Sequence, residues 1–211
     1  MSTYFLYATI GHTAAGKTTL CKYLLEDGNI VFSYIEEGQI KRDIVGSYST
    51  KDSLNENLRD VAYDIAIGQA RDYLDKSDVL IDASFHRLER RKKLYAMAKA
   101  KHNTPEIIWL YCYCPNIKKI EKRIDQRKIA VKKAETQADS MSIYNHIIET
   151  FDIPNISEIP LDINGAIIYI NTDNNQIERV EFNTTASTLH NRVEEIFSRI
   201  QLQQKEWREK G

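Results

Sequence analysis

One segment near the start of the chain combines residue types that bind phosphate. It matches the pattern G-x-x-x-x-G-K-[ST], which is typical of a phosphate-binding loop between a strand and a helix. Gly11 and Gly16 allow backbone conformations in which successive N–H groups point at phosphate oxygens. The predicted nucleotide-binding loop consists of Gly11, His12, Thr13, Ala14, Ala15, Gly16, Lys17, Thr18 and Thr19.

The residues after Gly16 supply a charge and a metal ligand. Lys17 is expected to reach the β- and γ-phosphates of ATP, and the Thr18 hydroxyl is expected to ligate Mg²⁺. An acidic group is also needed to hold that cation through water. Asp82 ends the apolar run 78–82, where ligands gather in open α/β sheets. We therefore assign Mg²⁺ to Thr18 and Asp82, with a helix-capping or turn aspartate as the alternative.

Three basic residues are spaced to share one helix face. Lys119, Arg123 and Arg127 lie four residues apart. Like charges at this spacing destabilise an isolated helix by roughly 0.2–0.5 kcal/mol per pair, and an anion between them reverses the sign. The alternative is a solvated face partly neutralised by Glu121 and Asp125. The spacing favours an anion site.

Positive charge is concentrated in the middle of a nearly neutral chain. The whole chain has 29 Lys and Arg against 30 Asp and Glu, whereas residues 87–133 hold 15 against 4. Arg87 and Arg91 form another pair four residues apart in this segment. The pattern favours a local anion site over a protein-wide polyanion surface, and lysine-rich solvated helices are the alternative.

The apolar pattern predicts strands that alternate with helices. Strands are predicted at 4–10, 30–35, 78–82, 107–113 and 166–170, with an edge strand at 177–182. Helices are predicted at 17–25, 54–73, 87–101, 115–127 and 142–151, and around 189–200. Residues 36–53 are polar and poorly periodic, so no helix is predicted there. The alternation indicates a mainly parallel sheet covered on both faces.

Composition predicts one ordinary globular domain. The 211 residues and a 42% hydrophobic content fit a single domain over 1–211, with a C-terminal helical extension at about 184–211. Three cysteines fit a reducing compartment, and we see neither a signal peptide nor an apolar run of the roughly 18 residues that a membrane span needs. We expect a soluble, cytoplasmic protein without a membrane partner. The sequence leaves the oligomeric state open.

Together these segments resemble the small P-loop kinases, the group around gluconate kinase, zeta toxin, adenylate kinase and the kinase domain of polynucleotide kinase. The similarity spans about residues 4–172. The motifs that carry it are residues 11–18, Asp82-Ala83-Ser84-Phe85 followed by Arg87 and Arg91, and Tyr113-Cys114-Pro115 leading to Arg123-x-x-x-Arg127. The resemblance implies a three-layer α/β/α P-loop NTPase fold with a mainly parallel sheet and a short lid segment.

The resemblance also implies roles for single residues. Arg123 would lie against the adenine, and Arg127 would contact the ATP phosphates. Residues 128–139 would form the lid. Arg87 and Arg91 would bind the acceptor on the other side of the cleft.

The segment after the second strand departs from this family. Many relatives carry Asp-x-x-Arg there, which supplies the catalytic base and an acceptor clamp. Here residues 36–42 read Glu-Glu-Gly-Gln-Ile-Lys-Arg, with no aspartate in register. Glu37 is the nearest candidate base, and Lys41 or Arg42 is the nearest acceptor clamp. The predicted catalytic set is therefore Lys17, Glu37, Asp82 and Arg127.

The expected function is transfer of the γ-phosphoryl group of ATP, with Mg²⁺, to a hydroxyl of a small-molecule acceptor. Two alternatives remain open. One is a nucleic-acid 5′-hydroxyl kinase, for which the basic middle segment is suggestive. The other is a regulatory protein that binds ATP without catalysis. A GTPase is disfavoured because the chain lacks an Asn-Lys-x-Asp motif.

Overall fold

A computed structural model describes residues 4–26, 30–45, 55–134 and 141–209, of which 128–134 and 202–209 are described by their backbone alone. The strands are β1 (Phe5–Ile10), β2 (Phe32–Glu36), β3 (Asp78–Asp82), β4 (Glu106–Tyr113), β5 (Gly165–Asn171) and β6 (Gln176–Phe182). The helices are α1 (Lys17–Glu26), α2 (Glu37–Val45), α3 (Glu56–Tyr73), α4 (Leu88–Lys99), α5 (Ile117–Ala134), α6 (Met141–Glu149) and α7 (Ser187–Glu209), with a short 3₁₀ turn at Ile156–Glu158.

The six strands form one sheet in the order β2-β3-β1-β4-β5-β6. The first five strands of this order run parallel, and β6 pairs antiparallel with β5 at the edge. The chain goes from β1 to β2 on one side, and β4 then joins β1 on its other side. The loop after β1 therefore opens at the point where the strand order reverses, which is where parallel α/β sheets bind ligands.

Side chains alternate along each buried strand and feed two cores. Leu6 of β1 packs with Leu94 in the core under α3 and α4. Its neighbour Tyr7 packs with Leu24 and Val193 in the core under α1 and α7. Because successive strand residues point to opposite faces, the sheet is covered on both sides. The predicted three-layer α/β/α fold is confirmed.

Two helices differ from the sequence prediction. Helix α2 forms in the polar segment for which no helix was predicted, since a Glu37–Lys41 ion pair of 2.9 Å bridges one turn and Ile40 packs on the core. Helix α5 continues to Ala134, so residues 128–134 of the predicted lid have a helical backbone. The remaining lid residues, 135–139, lie outside the described residues.

The predicted acceptor contact of Arg91 is wrong. Its side chain is fully buried, and its guanidinium donates to both carboxylate oxygens of Glu158 at 2.6 and 2.9 Å. A third bond of 2.8 Å goes to the carbonyl of Phe85. Arg91 thus fastens α4 to the turn after β3 and to the 3₁₀ turn, and it has no access to a ligand.

Within the described ranges, no helix is both long and apolar enough to cross a membrane.

Replacement of Arg91 with Gln is predicted to destabilise the fold. The change leaves the Glu158 carboxylate buried without its cation, which costs about 3 kcal/mol of unfolding free energy for a broken buried pair. Urea denaturation followed by circular dichroism measures the loss. Lys92→Gln is the control, because Lys92 is exposed on the same helix. Equal losses in the two variants would contradict the structural role of Arg91.

Candidate functional site

The predicted phosphate loop leaves β1 at the centre of the sheet and enters α1 at Lys17. Gly11 has φ +152°, and a Cβ there would clash with the carbonyl oxygen of Cys112 on β4. Its N–H donates to the carbonyl of Ser84 at 3.0 Å. Gly16 has φ +90°. Both positions require glycine, because an L side chain is strained at these φ values and the backbones approach too closely at Gly11.

The Lys17 side chain folds back across its own loop. Its ammonium donates to the carbonyls of Gly11 at 3.0 Å and His12 at 2.8 Å. These bonds hold the charge beside the N–H groups of the loop and at the start of α1, where the helix dipole also favours an anion. The arrangement can bind a polyphosphate.

His12 connects the loop to α6. The side chain is buried, Nδ1 lies 2.8 Å from the carbonyl of Thr13, and the ring packs edge-on against Tyr144 at 5.1 Å between centroids. Burial, opposed by that hydrogen bond and reinforced by Lys17, lowers the pKa of His12 to about 4. The imidazole is therefore neutral at pH 7.

Asp82 lies beside the loop at the carboxyl end of β3. The carboxylate is 4% exposed, accepts from the Tyr34 hydroxyl at 3.2 Å and is hydrogen-bonded by the Thr18 side chain. Burial raises the pKa of Asp82, and Thr18 and Lys17 partly oppose that rise. A buried carboxylate next to a hydroxyl offers hard oxygen ligands of the kind that Mg²⁺ prefers. These residues fit a divalent cation.

A cavity of about 90 Å³ joins the loop to the acidic residues. Its lining residues are Thr13, Ala14, Ala15, Gly16, Lys17, Thr18, Glu36, Glu37, Gly38, Lys41, Asp82, Ala83, Ser84 and Arg127. The structure thus brings together all four predicted catalytic residues and the Lys41 candidate. Arg42 and Arg87 are not among the described lining residues. Arg42 donates instead to Glu36 at 2.8 Å and to Gln39.

Glu37 lies directly after β2, whose last residue pairs in register with Asp82. It is 5% exposed, and one carboxylate oxygen binds Lys41 at 2.9 Å. The other oxygen, Oε1, has no hydrogen-bond partner among the residues that the structure describes. Unpartnered buried oxygens are rare in folded proteins. Glu37 lines the cavity and therefore has one carboxylate oxygen, Oε1, that can still accept a hydrogen bond.

A larger cavity of about 550 Å³ adjoins the first and shares Ala14, Gly16 and Arg127 with it. Its lining residues are Ala14, Gly16, Thr19, Leu20, Lys119, Arg123, Gln126, Arg127, Ile170, Thr172, Asn175 and Ile200. It is large enough for a nucleoside, since ligand pockets run from about 300 Å³ upward. Ile200 of α7 was missed from the sequence, where it counts only as one apolar position of a helical stripe.

Protein oxygens partly compensate the basic face of α5. Arg123 donates to the carbonyls of Ala14 at 3.0 Å and Thr172 at 2.8 Å. Lys119 pairs with Asp173 at 3.0 Å. The repulsion expected from the spacing is therefore already reduced before any ligand binds. Arg127 is exposed and lines both cavities.

Tyr63 positions the turn after β3 and was also missed from the sequence. Its hydroxyl accepts from the backbone N–H groups of Ser84 at 3.1 Å and Phe85 at 3.0 Å. Phe85 has φ +38°, so these bonds stabilise a strained backbone. The signal is absent from the sequence because Tyr63 fits the apolar stripe of α3 and the turn lies about twenty residues further on.

Several solved structures resemble this chain over most of its length. A candidate kinase from Chloroflexus aurantiacus matches with TM-score 0.55 and 19% identity, covering 73% of this chain and 83% of that one. A sugar kinase from Janibacter sp. HTCC2649 gives 0.53 and 15%, covering 80% and 86%. Kti12 from Chaetomium thermophilum, in complex with ADP-AlF3, gives 0.52 and 18%, covering 72% and 82%. At such identities the likeness shows the fold alone.

None of the curated proteins compared with this chain matches it. A family model described as an AAA domain matches residues 6–143, which is more than half of the chain and runs from β1 to the first turn of α6. On this match the chain belongs to the AAA domain family, and its fold is that of the small P-loop kinase-like proteins that its sequence resembles.

Proposed function

We propose that this protein is a Mg²⁺- and ATP-dependent phosphotransferase that moves the γ-phosphoryl group to a hydroxyl of a small-molecule acceptor. One observation carries the proposal. Lys17, Glu37, Asp82 and Arg127 line a single cavity, and a larger cavity beside the same loop shares Arg127 with it. The smaller space suits the terminal phosphates, and the larger one suits the nucleoside.

The chain's own groups would make most of the contacts with ATP, the phosphoryl donor. The loop N–H groups other than those of Gly11 and Ala15, which donate to Ser84 and His12, would bind the β- and γ-phosphates together with the Lys17 ammonium. Arg127 would reach the same phosphates from α5. Thr18 and Asp82 would hold Mg²⁺, which supplies charge neutralisation between the phosphates when it is bound. Positioning and charge compensation are the main sources of catalysis in phosphoryl transfer.

Glu37 would act on the acceptor side. Its unpartnered Oε1 can accept the proton of the attacking hydroxyl, while the other oxygen stays bound to Lys41. The ion pair with Lys41 would fix the Glu37 carboxylate in a buried position at the cavity. A base held in this way needs little reorganisation during the reaction. Lys41 would contribute to acceptor binding from the same helix.

The whole chain would work as one domain over residues 1–211. Strand β6 extends the same sheet, and α7 packs on it, with Ile200 lining the nucleoside cavity. The extension at 184–211 would therefore contribute to nucleotide binding. Residues 128–139, which begin on α5, would close over the phosphates and exclude water as a competing acceptor.

The basic middle segment gives limited support to a nucleic-acid acceptor. Several of its lysines already pair with carboxylates, including Lys93 with Asp64 at 2.6 Å and Lys99 with Asp162 at 2.8 Å. Such pairs reduce the positive potential that a polyanion surface requires. We therefore prefer a small acceptor.

A panel of sugars, nucleosides and 5′-hydroxyl oligonucleotides, each supplied with Mg-ATP, tests the proposal. ADP release that depends on one acceptor, together with phosphate found on that acceptor, would support it. Preference for oligonucleotides would support the nucleic-acid alternative. Tight ATP binding with no transfer to any member of a broad panel would favour the regulatory alternative.

Glu37→Gln is predicted to slow transfer at least about a hundredfold while ATP affinity stays nearly unchanged. The amide cannot take the hydroxyl proton, and general bases typically contribute factors of this size. Single-turnover kinetics with the active acceptor and calorimetric titration with Mg-ATP measure the two quantities. Glu36→Gln is the control, since Glu36 lines the same cavity and is bound by Arg42. If Glu36→Gln shows the larger loss, Glu37 is not the base.

Asp82→Asn is predicted to keep or raise the melting temperature of the free protein and to abolish its stabilisation by Mg-ATP. Burial raises the pKa of Asp82, so the charged carboxylate lowers the stability of the folded protein. The neutral amide of the variant does not carry this penalty. The difference from wild type should shrink as the pH falls through the raised pKa of Asp82 toward the ordinary carboxyl value of about 4, because the wild-type side chain is then neutral in the folded protein as well. Thermal melts with and without Mg-ATP measure this. An unchanged Mg-ATP shift would contradict the metal-binding role.

A further inference from the structure

The hydroxyl of Tyr34 on β2 contacts Asp82, one of the two proposed magnesium ligands. It donates to Oδ2 of Asp82 across 3.2 Å. The Tyr34 side chain is half-buried, and its ring packs on the core under α1 and α7. Neither the phosphate-loop motif nor the resemblance to the small kinases points to this residue. Its contact with Asp82 therefore calls for an explanation of its own.

Strand register explains why a tyrosine suits this position. Tyr34 pairs with Leu80 of the parallel neighbour β3, two residues before Asp82. Residues i and i+2 of a strand point to the same face, and two residues span about 6.6 Å along it. The ring of Tyr34 bridges this offset and brings the hydroxyl to the carboxylate. Phenylalanine would cover the same distance without a donor, and serine would be too short.

The Tyr34 hydroxyl keeps its proton and therefore acts as a donor. Burial, and next to it the charge of Asp82, raises the pKa of Tyr34 above its usual range. A protonated phenol has one O–H to donate, and here Asp82 accepts it. The side chain of Thr18 on α1 is hydrogen-bonded to the same carboxylate. Two hydroxyl groups from two different elements thus hold Asp82.

A neighbouring carboxylate opposes the charge of Asp82. Glu36, the last residue of β2, lies opposite Asp82 in the strand register, and its charge disfavours that of Asp82. Arg42 binds Glu36 at 2.8 Å and compensates part of this charge. Strand β2 therefore supplies both a repelling charge and, through Tyr34, a donor that stabilises the Asp82 carboxylate.

A carboxylate assists cation binding only when its oxygens face the cation. Groups that hydrogen-bond to a metal ligand fix its orientation, and their loss typically costs about 10–100-fold in metal affinity. Tyr34 makes such a bond to Asp82, which lines the smaller cavity together with Thr18. Tyr34 itself is not among the described residues that line this cavity. Its influence on the cation would therefore pass through Asp82.

We propose that Tyr34 is a positioning residue of the magnesium site, whose hydroxyl holds the Asp82 carboxylate in the orientation that the cation requires. This inference rests on the part of the proposed function that places Mg-ATP at the loop, and it does not require phosphoryl transfer. Thr18 would ligate Mg²⁺ through its oxygen while it stays hydrogen-bonded to Asp82. Tyr34 would fix the same carboxylate from β2.

The factor by which Mg²⁺ raises the affinity for a non-hydrolysable ATP analogue tests the proposal. Calorimetric titrations of the full chain are run in excess EDTA and again in excess Mg²⁺, and the ratio of the two affinities isolates the contribution of the cation. Tyr34→Phe keeps the ring and removes only the donor. The variant should lower this ratio about tenfold or more, with the affinity in EDTA within about twofold of wild type.

Tyr23→Phe is the matched control. Tyr23 packs on the same core, and its hydroxyl donates to the carbonyl of Arg199 on α7 at 2.9 Å. The control therefore loses a hydroxyl hydrogen bond to α7 instead of one to Asp82, and it should keep the wild-type ratio within about twofold. Equal ratios in wild type and Tyr34→Phe, or equal losses in the two variants, would overturn the proposal.

Urea denaturation without Mg²⁺ separates positioning from general stabilisation. The two tyrosine variants should unfold at similar urea concentrations, because each has lost one hydroxyl hydrogen bond. If the affinity of Tyr34→Phe in EDTA falls as far as its affinity in Mg²⁺, the defect is a general structural one and the positioning role is overturned.

Transfer assays distinguish this inference from the proposed function. A lowered ratio in Tyr34→Phe, in a protein that phosphorylates no acceptor, would keep the role of Tyr34 and overturn the kinase function. Acceptor phosphorylation by wild type, together with equal ratios in wild type and Tyr34→Phe, would keep the kinase function and overturn the role of Tyr34.

Discussion

The contact between Gly11 and the backbone of Cys112 is the constraint on which the site depends. Because no side chain fits between them, the loop after β1 lies directly against β4. The same packing places Lys17 at the start of α1, with its ammonium across the loop. The central position of β1 then brings the end of β3, with Asp82, to one side of the loop and α5 to the other.

Around this loop the protein buries charges whose mutual compensation is incomplete. Asp82 lies in a place where burial disfavours its charge, and Glu37 keeps an unpartnered oxygen next to its bond with Lys41. One donor of Arg90, which stacks on Tyr63, also has no hydrogen-bond partner among the described residues. Unsatisfied buried polar groups cost stability, and a bound ligand that completes their hydrogen bonds recovers it. Incomplete compensation beside the loop is the pattern expected if a cation and a polyphosphate complete the proposed site.

Local patterns in the sequence were sufficient for much of the fold. Continuous apolar runs gave the buried strands, and helical spacing gave α3 and α4 within a few residues. Helix α2 was not predictable, because its stability comes from one buried ion pair and from packing of Ile40 on α3 and the sheet. Propensity and periodicity carry no information about such tertiary contacts.

The same limit applies to the site. The phosphate loop and Asp82 could be placed from motif and strand position, since both depend on local chemistry and on the common edge of a parallel sheet. The prediction that Arg91 binds the acceptor was wrong, because a spacing of four residues cannot distinguish a ligand-binding arginine from one buried against Glu158. Tyr63 and Ile200 acquire their roles only when α3 and α7 pack beside the turn and the cavity.

The affinity for Mg-ATP, measured by calorimetric titration of wild type and two lysine variants, tests the central claim most directly. The account predicts that Lys17→Met weakens binding about tenfold or more, because it removes a charge-assisted bond to the phosphates. Lys22→Met removes the same charge from an exposed position of α1 and should bind Mg-ATP as wild type does. Equal affinities for wild type and Lys17→Met would contradict the assignment of residues 11–19 as the triphosphate site.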